Sequence, residues 1–138
     1  MNLQQIRNEL KVPKNQYNKF GEYYYRNAED ILEAVKPLLG ENILTLSDEV
    51  VNIGDRNYVK ATARFNDGKS VVEVSAYACE AREQKGMSAA QITGSASSYA
   101  RKYALNGLFL IDDTKDADSR DNRDTSVKSE PTINVDED

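Results

Sequence analysis

Two runs of alternating side chains, residues 57–65 and 70–79, restrict the fold of this chain more than any other feature. Alternation with a period of two is typical of a β-strand that buries one face. The Asp-Gly pair at residues 67–68 is a strong signal for a two-residue hairpin turn. A turn centred on that pair places Ala63 opposite Val72 and keeps apolar residues opposite apolar ones. We therefore predict an antiparallel hairpin in this register.

The two faces of this hairpin differ in character. One face is apolar and needs a cover, whereas the other carries Lys60 and Arg64 among tyrosine, hydroxyl and acidic side chains. The polar face is either solvated, with Lys60 or Thr62 near Glu73, or part of a binding surface for a polyanion. A third strand is predicted over residues 43–53, with a bend at Asp48 and Glu49.

Residues 88–113 form the longest segment with a helical period. Ser88 and Gln91 fit a capping box, which predicts that a helix begins at this serine. One stripe of the predicted helix is apolar and is formed by Ile92, Ala96, Tyr99 and Tyr103.

A second stripe of the same helix is small and polar, with Arg101 and Lys102 near its end. Glycine and serine are poor helix formers, so another contact must offset their cost. Because their side chains are small, we expect a sheet, another subunit or a phosphate chain to come close to this stripe. The two cations are either solvated charges near a helix C-terminus, where the dipole favours them, or ligands for a polyanion.

The N-terminal third has three predicted parts. Residues 2–11 fit a short amphipathic helix that ends before Pro13. Residues 14–26 interleave aromatic and cationic side chains, so they form either a base-stacking platform or an ordinary strand with Tyr23 and Tyr25 inward. A second helix follows Asn27, which can cap it; Pro37 should kink or end this helix, and Gly40 is its C-terminal cap.

Charge divides the chain at residue 112. Residues 112–138 hold ten acidic and four basic side chains, and residues 1–111 carry one more cation than anion. We therefore predict a folded domain over residues 1–111 and a disordered acidic tail over residues 112–138. A nearly neutral domain can bind nucleic acid only through a local basic patch or through a ring that repeats one.

Several classes of function are excluded or disfavoured by composition. Histidine is absent and Cys79 is the single cysteine, which excludes an internal disulfide, a Cys/His metal cluster and imidazole catalysis. No phosphate-binding loop of the ATPase type is present, and no cofactor is expected. The sequence has no long apolar run and no apolar leader at its N-terminus, so we expect a cytoplasmic protein without a membrane partner.

The order of predicted elements gives the fold class. Two helices, three strands, one long helix and a tail indicate an α+β domain with a β-β-β-α core, in which a three-stranded antiparallel sheet carries the long helix. Such a sheet has two open edges, which favours association between copies.

Residues 94–105, GSASSYARKYAL, resemble the signature of the ERF (essential recombination function) family of phage single-strand annealing proteins. The matching positions are Gly94, Ser98, Tyr99, Arg101, Lys102, Tyr103, Ala104 and Leu105. Serine at 98 and lysine at 102 stand where threonine and arginine are commoner in the family. The resemblance extends over most of residues 20–115. In layout such proteins are similar to the ring-forming annealing mediators of the eukaryotic Rad group.

This resemblance implies ATP-independent binding and annealing of complementary single-stranded DNA in phage recombination, in the bacterial cytoplasm. It also implies a ring or filament of identical subunits and no catalytic residue. We expect Arg101 and Lys102 to hold phosphates on one wall of a groove, whereas Tyr99 and Tyr103 pack the helix. Charge and predicted geometry place further cations on the other wall or nearby: Lys60, Arg64, Lys85, Arg56 and Lys69.

The tail leaves other functions open. It could compete with DNA for the basic groove, or bind a host single-strand-binding protein or a phage exonuclease. Two different classes of protein remain as alternatives. One is a metal-dependent nuclease that uses the carboxylates of residues 112–121, and the other is an acidic-tailed module that acts on a recombination or replication factor.

Overall fold

The computed structural model describes residues 1–112, so the predicted tail lies outside this range apart from its first residue. The secondary structure follows the predicted order, with one additional small hairpin near the N-terminus. In chain order the elements are α1 (Leu3–Glu9), β1 (Gln16–Asn18), β2 (Tyr23–Tyr25), α2 (Ala28–Leu39), β3 (Ile43–Ile53), β4 (Arg56–Asn66), β5 (Val71–Cys79) and α3 (Ala89–Phe109).

The predicted β-β-β-α core is confirmed. Strands β3, β4 and β5 form one antiparallel sheet in that order, and α3 packs across β4 and β5. The four alternate residues of β4 that face α3 are fully or almost fully buried: Val59, Ala61, Ala63 and Phe65. This face of the sheet forms the core that the alternation predicted.

The predicted register of the β4–β5 hairpin was wrong by two residues. Ala63 lies opposite Val74 rather than Val72, and Asn66 lies opposite Val71. The turn is centred on Gly68 and Lys69 instead of Asp67 and Gly68. Because the shift is an even number of residues, each side chain stays on its predicted face.

The side chain of Asp67 explains this turn. Its Oδ1 accepts hydrogen bonds from the backbone N–H groups of Lys69 (2.8 Å) and Ser70 (2.7 Å). The Asp67 N–H also donates to the Ser70 carbonyl at 3.2 Å. Gly68 then occupies the first central position with φ +91°, where glycine adopts the required backbone without strain. The same two N–H donors, Ser70 first and then Lys69, lower the pKa of the Asp67 carboxyl.

Strand β3 runs without interruption through Asp48 and Glu49, where we expected a bend. Its pairing with β4 continues through both positions, Asp48 opposite Ala61 and Glu49 opposite Lys60. The carboxylate of Asp48 faces α3, which supplies it with two donors, the hydroxyl of Ser97 and the guanidinium of Arg101. A charged residue on this face is therefore compatible with a continuous strand.

Helix α3 begins at the predicted serine. The Ser88 hydroxyl accepts from the Gln91 N–H, and the Gln91 side chain accepts from the Ser88 N–H, which completes the capping box. The buried stripe of this helix is rotated from the predicted one. It consists of alanines followed by larger apolar residues: Ala96, Ala100, Ala104, Leu105, Leu108 and Phe109. Tyr99, predicted to pack the helix, is 41% exposed.

The remaining elements cover the other side of α3. Helices α1 and α2 both contact α3, and Ile6, Ile31 and Val35 join its apolar residues in one core cluster. Helix α2 starts at its Asn27 cap and continues through Pro37 to Leu39 before Gly40, so the proline does not end it. Among residues 1–112, no helix is long and apolar enough to cross a lipid bilayer.

Candidate nucleic-acid interface

The sheet separates the two groups of cations that we expected to form one groove. The buried residues of β4, Val59 to Phe65 at alternate positions, face α3. Lys60 and Arg64 alternate with them and therefore face the opposite side of the sheet. Arg101 and Lys102 belong to α3 on the covered side. A groove with α3 as one wall and the outer face of the hairpin as the other is therefore not formed within one chain.

The cations on the outer face of the sheet have local partners. Lys60 Nζ lies 4.0 Å from Glu49 Oε1 and 5.9 Å from the ring centre of Tyr77. Arg64 Nε lies 3.4 Å from Glu73 Oε2. These pairs are substantially exposed, so each stabilises the sheet only weakly. The positive field of this face is largely offset by its own carboxylates.

The other three predicted contacts are scattered. Arg56 starts β4, and its Nη2 donates to the Glu80 carbonyl at 3.0 Å. Lys69 lies in the β4–β5 turn, and Lys85 lies in the exposed loop before α3. The structure brings neither of these lysines to Arg101 or Lys102, and their contact with DNA stays a prediction.

Arg101 and Lys102 point to different sides of α3. Successive residues on an α-helix are separated by about 100°. Arg101 faces the β3 edge, where its Nε donates to both oxygens of Asp48 at 3.1 and 3.2 Å. The pair is partly exposed, with 37% of the arginine side chain and 25% of the aspartate side chain accessible. Part of the Arg101 charge is thus committed to holding β3 against α3.

Lys102 faces away from the sheet and is 7% exposed. Its Nζ lies 5.9 Å from the ring centre of Tyr25 and 5.7 Å from that of Tyr103, distances typical of cation–π contacts. The lysine thus contacts β2, an element more than seventy residues earlier in the chain. Burial of a lysine is uncommon, and such a group requires a specific environment.

An open pocket of about 280 Å³ lies beside Lys102, between α3, the start of α2 and the β1–β2 hairpin. Helix α3 provides the small polar stripe recognised in the sequence, and the hairpin provides tyrosine rings. We call this cavity the Lys102 pocket. Its lining residues are Asn18, Tyr23, Tyr25, Arg26, Asn27, Ala28, Glu29, Ser95, Ser98, Tyr99 and Lys102.

The charge and shape of the Lys102 pocket suit a nucleotide unit. Two cations, Arg26 and Lys102, outnumber the single carboxylate of Glu29. Hydroxyl and amide side chains supply hydrogen-bond donors, and the tyrosine rings supply flat apolar surfaces. A phosphate bound by cations beside a base on an aromatic ring is the arrangement that proteins use for single-stranded nucleic acids.

Arg26 was missing from the residues predicted for the site. It is 9% exposed; its Nε donates to the Val12 carbonyl at 3.0 Å, and its Nη1 lies 3.5 Å from the Asp112 carbonyl. This arginine therefore ties the α1–β1 connection and the end of the described chain to the pocket. The alternation of aromatic and cationic residues over 14–26 was the available signal, but it did not single out Arg26.

Residues 14–26 contain the two short strands of the β1–β2 hairpin, and base stacking on their rings stays a prediction. Tyr23 and Tyr25 point inward and line the Lys102 pocket, as the strand interpretation predicted. Tyr17 and Tyr24 pair across the hairpin on its other face, with their ring centres 4.8 Å apart. Phe20 lies in the turn and is fully exposed.

Comparison with known proteins identifies the chain's relatives. The essential recombination function protein of Salmonella phage P22 is 60% identical over 121 residues. That match covers 88% of this chain but 59% of the relative, so the chain spans about three fifths of the relative's length. No solved structure matches. The sequence model of the ERF superfamily matches residues 1–137, which include every element of the fold and the Lys102 pocket, and the chain therefore belongs to the ERF superfamily.

Proposed function

We propose that this protein acts in phage recombination by binding single-stranded DNA and annealing complementary strands without ATP. Membership of the ERF superfamily and the name of the P22 relative support the recombination role. The observation that carries the DNA-binding step is the position of Lys102. This motif residue is buried beside a tyrosine-lined pocket on the polar stripe of α3.

In this proposal Lys102 and Arg26 attract one phosphate into the pocket, and Ser95 and Ser98 donate hydrogen bonds to it. The attached base stacks on a tyrosine of the wall, since any base offers a flat face for such a contact. Because the domain over residues 1–111 has nearly equal numbers of cations and anions, binding depends on this local site and not on the field of the whole domain.

Annealing requires only that the bound strand stays accessible. A protein that holds the backbone and leaves the base edges in solvent lets a second strand test for pairing. No bond is made or broken in that process, so it requires neither nucleotide hydrolysis nor a catalytic residue. The other sequence-predicted contacts, Arg101 among them, lie outside the pocket and are not part of this proposal.

A pair of substitutions at Ser98 tests the site. Ser98 is exposed and lines the pocket, so the fold should accept a longer polar side chain there. Ser98→Glu adds a negative charge where a phosphate would bind, and we expect affinity for an oligothymidylate to fall about tenfold or more. Ser98→Gln has nearly the same shape without the charge and serves as the matched control. Fluorescence anisotropy measures affinity, and quenching of paired dyes on complementary oligonucleotides measures ATP-free annealing.

The expected order for both readouts is wild type, then Ser98→Gln, then Ser98→Glu well below. Equal affinity of the glutamate and glutamine variants would place the phosphate site elsewhere. Binding without faster annealing would limit the function to strand protection.

A further inference from the structure

The tip and outer face of the β1–β2 hairpin carry aromatic side chains that the core does not use. Tyr17 is 47%, Tyr24 is 61% and Phe20 is 101% exposed. We call these three residues the outer aromatic cluster. Single exposed apolar residues are ordinary on protein surfaces, but three rings on one short hairpin form a patch of the kind that marks a binding site.

The backbone around Phe20 is held in place although its ring is not buried. Asn18 Oδ1 accepts from the N–H groups of Phe20 (2.9 Å) and Gly21 (3.1 Å), and the Asn18 carbonyl accepts from the Glu22 N–H at 2.8 Å. Gly21 lies against the Tyr23 ring, where an added Cβ would come within 2.2 Å of a ring carbon. The turn therefore presents Phe20 to solvent in a defined position.

The Lys102 pocket and the Tyr17–Tyr24 pair lie on opposite faces of the β1–β2 hairpin, and the turn that carries Phe20 lies between them. The three tyrosines of β2 alternate, so Tyr23 and Tyr25 line the pocket while Tyr24 belongs to the cluster. Asn18 connects the two sites, because it lines the pocket, fixes the turn and donates from Nδ2 to the Tyr23 hydroxyl at 2.8 Å. A strand whose phosphate enters the pocket and that continues around the turn at Asn18 would bring its neighbouring nucleotides to the outer rings.

We propose that the outer aromatic cluster is a second DNA subsite, at which bases of the same single strand stack on Phe20 and on the Tyr17–Tyr24 pair. This inference rests on the proposed DNA-binding function and extends it from one nucleotide to several. The turn carries one cation, Lys19, and one anion, Glu22. Contacts at this subsite consequently come from the rings and the bases, with little contribution from phosphates.

The test compares two ligands that differ only in their bases. The full 138-residue chain is titrated with an oligothymidylate and with an abasic sugar–phosphate oligomer of equal length. Phe20→Ala should weaken binding of the oligothymidylate about fivefold or more, the effect of losing one stacked base. Binding of the abasic oligomer should hardly change. Phe20→Trp should restore the affinity, because it keeps a stacking surface.

Ile53→Ala is the matched control, since it shortens an apolar side chain that is 54% exposed and lies on β3, outside the β1–β2 hairpin. It should bind both oligomers like the wild type.

Two results would overturn the inference. Phe20→Ala could bind the oligothymidylate as tightly as wild type, or it could weaken both oligomers equally. In the first case, a lower subunit number in sedimentation velocity would make the tip a contact between copies of the chain. If the wild type bound neither oligomer, the proposed function itself would fail, and that outcome is distinct from the other two.

Discussion

At the scale of single residues, Asp67 controls a turn through its ionised side chain. The Ser70 and Lys69 N–H groups hydrogen-bond its carboxylate and lower its pKa below the ordinary value of 3.8. A lowered pKa in the folded state means that the ionised form is favoured by folding. Its contribution to stability is complete above the ordinary pKa and is lost as the pH falls through the folded value.

Asp67→Asn should remove this pH dependence. The amide oxygen can still accept from both N–H groups, so the turn should form near neutral pH. Between pH 5 and pH 2, the free energy of unfolding should fall less steeply in the variant than in the wild type. Thermal denaturation followed by circular dichroism over this range measures the difference. Superimposable pH profiles for the two proteins would contradict the role assigned to the carboxylate.

The sequence identified Arg101 and Lys102 as a pair but could not show that their environments differ. Helical geometry implies that neighbours diverge by about 100°. What each side chain meets depends on elements far away in the chain, Asp48 on β3 for the arginine and Tyr25 on β2 for the lysine. Arg26 was missed for the same reason, since its carbonyl partners at Val12 and Asp112 come together only in the folded chain.

At the scale of elements, two glycines of α3 differ in how closely they pack against other residues. An added Cβ at Gly107 would lie 2.8 Å from Cγ1 of Val74 on β5, so glycine permits close packing of helix and sheet there. An added Cβ at Gly94 would meet nothing within 4 Å. Gly94 belongs to the matched motif, yet the fold of this chain does not require it.

Alanine at these two positions should therefore have opposite effects. Gly94→Ala should stabilise the protein by about 0.5–1 kcal/mol, since alanine is the better helix former. Gly107→Ala gains the same propensity but forces a clash that costs about 1–3 kcal/mol, so a net loss of about 1 kcal/mol is expected. Urea denaturation of both variants tests this contrast, and stabilisation by Gly107→Ala would show that Val74 yields easily.

The order and type of the larger elements followed from local signals. Alternation predicted β4 and β5, and capping residues predicted the starts of α2 and α3. The errors arose where a side-chain contact of the folded chain overrode the local sequence pattern. Asp67 moved the hairpin turn by one position, and α3 supplied partners that kept β3 continuous at Asp48. The apolar stripe of α3 was misplaced because small alanines, rather than tyrosines, face the sheet.

At the scale of the whole molecule, the sheet leaves two long strands at its edges. Strands β3 and β5 each pair with β4 alone within residues 1–112. Open edges of this length favour pairing with another chain, which agrees with the predicted ring or filament, although self-association stays a prediction. The Lys102 pocket lies on the opposite side of α3 from this sheet. Association through the sheet edges would therefore leave the proposed DNA site open.

The most direct test of the proposed site is the salt dependence of single-stranded DNA binding by wild type and by Lys102→Met. Methionine fills the space of the lysine side chain without its charge, and thermal denaturation checks that the variant folds. The slope of log affinity against log salt is about −0.7 for each phosphate contact on a single strand. We expect Lys102→Met to bind single-stranded DNA more weakly, with a slope smaller in magnitude by about 0.7 per occupied site. Lys36→Met, at an exposed lysine of α2, should keep the affinity and the slope of the wild type. A folded Lys102→Met protein with the affinity and slope of the wild type would contradict the assignment of the Lys102 pocket.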